Sequence, residues 1–224
     1  SEPIAFTSLF PYVYFMSRDF GVAEREEDIS KYSGYLASSF AFAQFLFAMH
    51  WGRLGDTTLG RKPILLFGLI GTSISLILFG FSKNYYMALF ARSLAGALNG
   101  NIAVLRTMVG EIVTEKRHQG TAFSTLPLLF NFGAIIGPLI GGSHYLTRPK
   151  ENNTYEPGIE SAVNFYNKFL EKHPYALSNI VVAVFLWTSC ICGFLFLEET
   201  HEKFRYNRDH GVDIGDALLR KIGI

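Results

Sequence analysis

A short polar turn between two long uncharged runs constrains this chain more than any other feature. Tyr32 to Trp51 contains no Asp, Glu, Lys or Arg, and neither does Pro63 to Phe81. Each run is close to the ~20 residues that cross a bilayer core as a helix. Between them lies Gly52-Arg53-Leu54-Gly55-Asp56-Thr57-Thr58-Leu59-Gly60-Arg61-Lys62-Pro63. Helices joined this tightly bring their ends together, so Gly52 and Gly60 are expected to remove side chains where backbones meet. Asp56, expected to be buried, is placed to cap a helix N-terminus or to pair with a cation. Arg61 and Lys62 stand just before the next run, where cations favour the cytoplasmic side.

The placement of charge sets the class. An apolar fraction of 49% is also reached by soluble domains, but here the charges cluster and the gaps are of membrane length. Spans are predicted at 3–17, 32–51, 63–81, 84–105, 120–147 and 174–197. A net charge of +1 gives no pull towards nucleic acid. Cys190 and Cys192 read as small buried residues, and their spacing supplies no metal site. No cofactor is implied. No nucleophile–base pair or phosphate loop is evident, so an enzyme is not expected. The first run is short and aromatic, carries Pro11, and is expected to be kinked and to lack its beginning. No signal peptide is read.

Polar residues inside the runs are the candidates for function. Glu2 either lies within the bilayer, where a carboxylate is costly and usually functional, or rests at the interface. Gln44 lines a pore or joins helices. The third run is expected at the periphery of the bundle. In the fourth, Arg92, Gly96, Asn99, Ala103 and Arg106 share one helical stripe, which should face a cavity. The alternative for Arg92 is a structural pairing. Asn101 falls on the other side and should join helices. Arg106 and Glu111, in the next polar connection, are candidates to pair with Asp56 and Arg61. In the fifth run, Gly133 and Gly137 form a close-packing face, Pro138 bends the helix, and Gly141 and Gly142 loosen its end. Asn152-Asn153-Thr154 is a glycosylation sequon, usable on the non-cytoplasmic side. Apolar residues from Ile159 to Leu170 follow helical spacing and suit a helix resting on the membrane surface. The tail 198–224 reads as solvated, with Asp209, Asp213 and Asp216 in no calcium-loop spacing.

These strings resemble signatures of the major facilitator superfamily. The turn is similar to G-x-L-x-D-x-x-G-R-K between spans two and three, with Thr57-Thr58-Leu59 one residue longer than the short form. Arg92-Ser93-Leu94-Ala95-Gly96 resembles R-x-x-Q-G, linked there to proton coupling, with Ala95 in place of Gln. Gly133-x-x-x-Gly137-Pro138-x-x-Gly141-Gly142 is similar to the string of its drug:proton antiporters. Glu2-Pro3-Ile4, Pro11-Tyr12 and Leu98-Asn99-Gly100-Asn101 look like the zinc-induced-facilitator-like branch. The resemblance implies an all-α membrane protein. It would be the six-span amino-terminal half of a twelve-span transporter, built as two inverted three-helix repeats. It divides the chain into 1–197, the half itself with a truncated first span, and 198–224, a cytoplasmic central-loop segment. It also implies a cytoplasmic latch at the turn and proton-driven export of a small organic molecule or metal chelate. The partners would be protons, the substrate, the bilayer, and a missing carboxy-terminal half or a second copy. The setting would be the plasma or vacuolar membrane, with both ends cytoplasmic. A non-transporting receptor or scaffold, an inactive fragment, and a nutrient importer are the alternatives.

Overall fold

The structure is a computed structural model that describes residues 1–113, 115–147, 161–201, 203–204 and 209–222. Every regular element among them is helical. The aromatic first run folds as two short helices, α1 (Glu2–Thr7) and α2 (Val13–Asp19), with the break around Pro11, which lacks a backbone donor. Helix α3 (Glu26–Leu54) starts well before the uncharged run. Glu26, Glu27 and Asp28, between the predicted spans 3–17 and 32–51, form its first turn, where acids meet the positive end of the helix dipole.

A π-helical turn, Gly55–Leu59, leads into α4 (Arg61–Gly80). Helix α5 (Tyr85–Leu98) starts on Asn84, whose side chain accepts from the Met87 amide at 2.8 Å. The fourth run breaks at Asn99-Gly100 and continues as α6 (Asn101–Ile112), so much of the polar connection expected after residue 105 is helical. Helix α7 (Lys116–Gly141) contains Pro127 and Pro138. Helices α8 (Ser161–Lys172), α9 (Ala176–Phe196) and α10 (His210–Ile222) complete the described chain.

Four helical stretches among the described residues are long and apolar enough to cross a membrane: Arg61–Gly80, Tyr85–Ile112, Arg117–Gly141 and Ala176–Phe196. Helix α3 has the length, at 29 residues, but carries Ser33, Ser38, Ser39, Gln44 and His50 along it.

Helix α4, expected at the periphery, is central instead and packs against α5, α6 and α9. The reason is its small residues. Gly68 faces Asn101, Gly71 faces Leu98, and Gly80 lies against Ala176 and Asn179. Lipid tails are as apolar as leucine, so such close van der Waals contact, rather than escape from water, holds membrane helices together. The cores follow from it: Leu9, Tyr12 and Met16 against Leu36, Phe79 and Ala88, and Ile64 and Leu65 against Val104 and Met108.

The amphipathic stretch forms α8 as the spacing predicts, with Leu170 buried and Phe169 and His173 against Phe81. Asn152 lies outside the described residues. The tail is not simply solvated: α10 lays Gly211 and Gly215 against the carbonyls of Phe194 and Leu195 at the end of α9.

Candidate functional site

The break at Asn99-Gly100 interrupts the backbone ladder near the middle of the Tyr85–Ile112 span. Carbonyls left there need donors from elsewhere, because lipid offers none. Helix α3 supplies them. Trp51 Nε1 donates to the Ala97 carbonyl at 2.7 Å, and Gln44 Nε2 reaches both the carbonyl and the side-chain oxygen of Asn99 at 3.3 Å. The Asn101 amide turns back to Asn99 Oδ1 at 3.3 Å. Gln44 therefore joins helices in this state.

Glu2 reaches the same place from α1. Its carboxylate accepts from Asn101 Nδ2. Asn101, placed by helical phase on the side away from Arg92, is thus a joining residue, and its partner is Glu2. The break resets the phase that would have carried one stripe through the span. Arg92, Gly96 and Asn99 are buried, whereas Ala103 and Arg106 are exposed. Gly96 presses on the Phe40 backbone.

Arg92 does not face a cavity here. It is 2% exposed and sits among three rings, those of Phe40 at 4.9 Å and of Phe6 and Phe79 at 5.9 Å. Its Nε and Nη2 have no hydrogen-bond partner. Each ring contributes about 0.5–2 kcal/mol to holding a cation. Desolvating the guanidinium costs several kcal/mol, so the rings offset part of it at most. Among the described residues Glu2 pairs with Asn101, not with Arg92.

The polar turn is a second polar assembly. Arg61 Nη1 donates to Asp56 Oδ1 at 2.5 Å and its Nη2 to Glu111 Oε1 at 2.9 Å. Glu111 Oε2 accepts from Thr200 Oγ1 at 2.6 Å. Glu199, not Asp56, caps α4: its oxygens accept the amides of Arg61 at 2.9 Å and Lys62 at 3.1 Å. Gly60, at φ 85°, allows this, since its Cα faces the Glu199 carboxylate and any side chain would displace it. Lys62 Nζ pairs with Asp209 Oδ2 at 2.6 Å. Asp209 in turn accepts the Gly211 and Val212 amides at the start of α10. Burial alone would raise its pKa, but Lys62 and those amides hold it below the ordinary carboxylate value.

Three expectations at the turn are corrected. Asp56 is 58% exposed, because the π-helical turn presents it outward and Arg61 reaches out to it. Gly52 faces open space, because α3 runs on past it to Leu54 before the chain turns. Arg106 is exposed and joins none of these pairs, since the broken span turns it away. Glu111 does pair with Arg61 as expected. Glu199, Thr200 and Asp209 were missed. Their positions, well over a hundred residues from the turn, leave no local signal beyond Glu198-Glu199-Thr200 directly after an apolar run.

The glycines of α7 form a seam along α1. A side chain at Gly133 would meet Pro3 at 2.6 Å, one at Gly137 would meet the Ser8 amide at 2.9 Å, and one at Gly141 would strike the Ser8 carbonyl. Thr7 Oγ1 spans the seam to the Gly133 carbonyl at 3.3 Å. Gly141 therefore packs rather than loosening the helix end. Gly142 caps α7 close to the Pro138 carbonyl and Pro11.

Residues 3–203 match the family model of the Major Facilitator Superfamily. The chain is 48% identical over 220 residues to the Aspergillus fumigatus protein named "Major facilitator superfamily multidrug transporter mfsB", covering 98% of this chain and 35% of that one. It is 34% identical over 221 residues to the Arabidopsis thaliana "Protein ZINC INDUCED FACILITATOR 1", with 97% and 43% covered. It is 34% identical over 201 residues to the "Efflux pump azaK" of Aspergillus niger, with 90% and 38% covered. The chain thus spans well under half the length of these relatives. No solved structure matches it. On this match, within whose range the turn, the broken span and the glycine seam all lie, the chain belongs to the major facilitator superfamily.

Proposed function

We propose that this chain is the six-span half of a proton-coupled secondary transporter that exports a small organic molecule, drug or metal chelate by alternating access. Residues 1–197 form that half, as two inverted three-helix repeats, and 198–224 begin the cytoplasmic central loop. The partner is the remaining half of the protein or a second copy. The protein works in the plasma or vacuolar membrane with both ends of the chain in the cytoplasm. Relatives named as a multidrug transporter and an efflux pump support the direction.

The observation that carries this reading is the contrast between Glu2 and Arg92. Glu2 is a carboxylate held at a break in a span. Arg92 is a buried cation lacking partners for Nε and Nη2. Helix α1 meets both places: its Glu2 reaches Asn101, and its Phe6, one helical turn along, packs on Arg92. That turn advances about 5–6 Å. A proton taken up on Glu2 removes its charge and weakens its hold on Asn101. When the proton leaves, the carboxylate is attracted to the unsatisfied guanidinium. Sliding of α1 along the α7 glycine seam would carry Glu2 between the two arrangements, while the turn network fastens the cytoplasmic side.

The test is flux through the full-length protein in vesicles with an imposed proton gradient and a panel of fluorescent drugs. Efflux driven by the gradient and abolished by a protonophore is expected. Efflux indifferent to the gradient removes the coupling, and no flux of any solute leaves the receptor or scaffold reading.

A further inference from the structure

Two buried oxygens near the break in the Tyr85–Ile112 span have no part in the transport reading. Asn101 is 3% exposed, and its Oδ1 lacks a hydrogen-bond partner while its Nδ2 is given to Glu2. Thr72, on α4, is 2% exposed, and its Oγ1 lacks a partner too. Its neighbours behave otherwise: Ser73 and Ser75 donate to the carbonyls of Ile70 and Gly71 at 2.7 and 2.8 Å. A buried polar atom left unmet costs stability, so an oxygen of this kind points to something it could hold.

The packing of α4 brings the two towards one place. Gly68, one turn before Thr72, lies so close to the Asn101 carboxamide that a side chain there would run into Oδ1. Leu76, one turn after Thr72, packs in a cluster with Ile4 and Ala5 of α1. Thr72 therefore stands on the stripe of α4 between the part that meets Asn101 and the part that meets α1. Glu2 reaches this crevice from the start of α1, since its carboxylate accepts from Asn101 Nδ2. Asn99 Oδ1 is already taken by Gln44 and the Asn101 amide.

Charge indicates the ligand. A carboxylate held against the middle of a membrane-length stretch is costly unless a positive charge offsets it. Among the described residues no Lys, Arg or His forms an ion pair with Glu2. One negative charge is balanced by one positive charge, and the described residues hold no group of three His, Cys, Asp or Glu for a metal of higher charge. A carboxylate, a carboxamide oxygen and a hydroxyl are the hard oxygen donors that such a cation takes, and interrupted membrane helices are where transporters of other folds hold sodium.

We propose that Glu2, Asn101 Oδ1 and Thr72 Oγ1 bind a sodium ion between α1, α4 and α6. The close approach of Gly68 to Asn101 leaves walls that suit sodium better than the larger potassium ion. A bound ion ties α1 to α4 and α6 and so stabilises the arrangement described here. The proposal rests on Tyr85–Ile112 crossing the membrane. It shares Glu2 with the transport reading but does not need proton coupling.

Binding of radiolabelled sodium to the full-length protein in detergent tests it, with ionic strength held constant by choline chloride and thermal unfolding as a second reading. Saturable binding is expected, with potassium at least about tenfold weaker as a competitor and a rise in Tm that choline does not give. Thr72→Val removes an unpartnered hydroxyl, so its Tm in choline should be no lower than that of wild type, yet sodium should bind about tenfold more weakly. Thr72→Ser should keep the binding, and Glu2→Gln should abolish it. Absence of saturable binding, potassium held as tightly as sodium, or wild-type affinity in Thr72→Val overturns the proposal. No flux is read and no proton gradient is imposed, so failure of the sodium site and failure of the transport reading are separate results.

Discussion

The turn at 52–63 and the site around Arg92 are both polar, and they are built in opposite ways. At the turn, groups have more than one partner: Arg61 holds Asp56 and Glu111, Glu199 holds two amides of α4, and Asp209 holds both Lys62 and the start of α10. At Arg92, Nε and Nη2 have none; Arg61 also leaves its Nε without one, but two carboxylates hold it. A network of paired charges holds one arrangement of the chain. An unsatisfied buried charge penalises the arrangement it is in and favours another that offers it an anion. On the proposed mechanism, the first region is the fastening and the second the source of the drive.

The contrast is sharpened most by removing the unsatisfied charge. Arg92→Met fills a similar volume without a charge and should stabilise the protein by about 1–4 kcal/mol, raising Tm, while abolishing coupled efflux. A loss of stability would mean that Arg92 is satisfied by its rings. Next comes the cap on α4. Glu199→Ala frees the amides of Arg61 and Lys62 and should cost about 1–2 kcal/mol in a thermal unfolding assay. A neutral result would show that the turn holds without its distant partner. A smaller effect is expected from Asp56→Asn. Asp56 is largely exposed and its pair with Arg61 is screened, so under about 1 kcal/mol should be lost, less than for Glu199→Ala.

The smallest effect is one of pH. Asp209 has a lowered pKa in the folded chain. Its contribution to docking α10 is therefore complete above the ordinary Asp value of about 3.9 and is lost as pH falls through the lower folded value. Hydrogen exchange across 210–222 should rise in that acid window and stay flat across neutral pH. In Asp209→Asn the acid-dependent rise should disappear.

The elements that could be read from sequence are those whose cause is local. The turn was legible because glycine, an acid and two cations stand between two uncharged runs, and the break in the first run because Pro11 lacks a donor. The break at Asn99-Gly100 has a signal, a turn dipeptide within an apolar run, but a single helical phase through 92–106 passes over it. That one step placed Ala103 and Arg106 on the wrong face. Glu199 and Asp209 were not legible, because they meet the turn only through the packing of α9 and α10. The close approach of Gly133 and Gly137 could be expected from their spacing, but that of Gly141, and the partner α1, could not.

The most direct measurement is proton release on substrate binding, in a weakly buffered solution of the full-length detergent-solubilised protein. Wild type should release a proton when a transported drug is added, and Glu2→Gln should release none while still binding the drug. Proton release from Glu2→Gln equal to that of wild type would contradict the assignment of Glu2 as the coupling acid, and with it the mechanism built on Glu2 and Arg92.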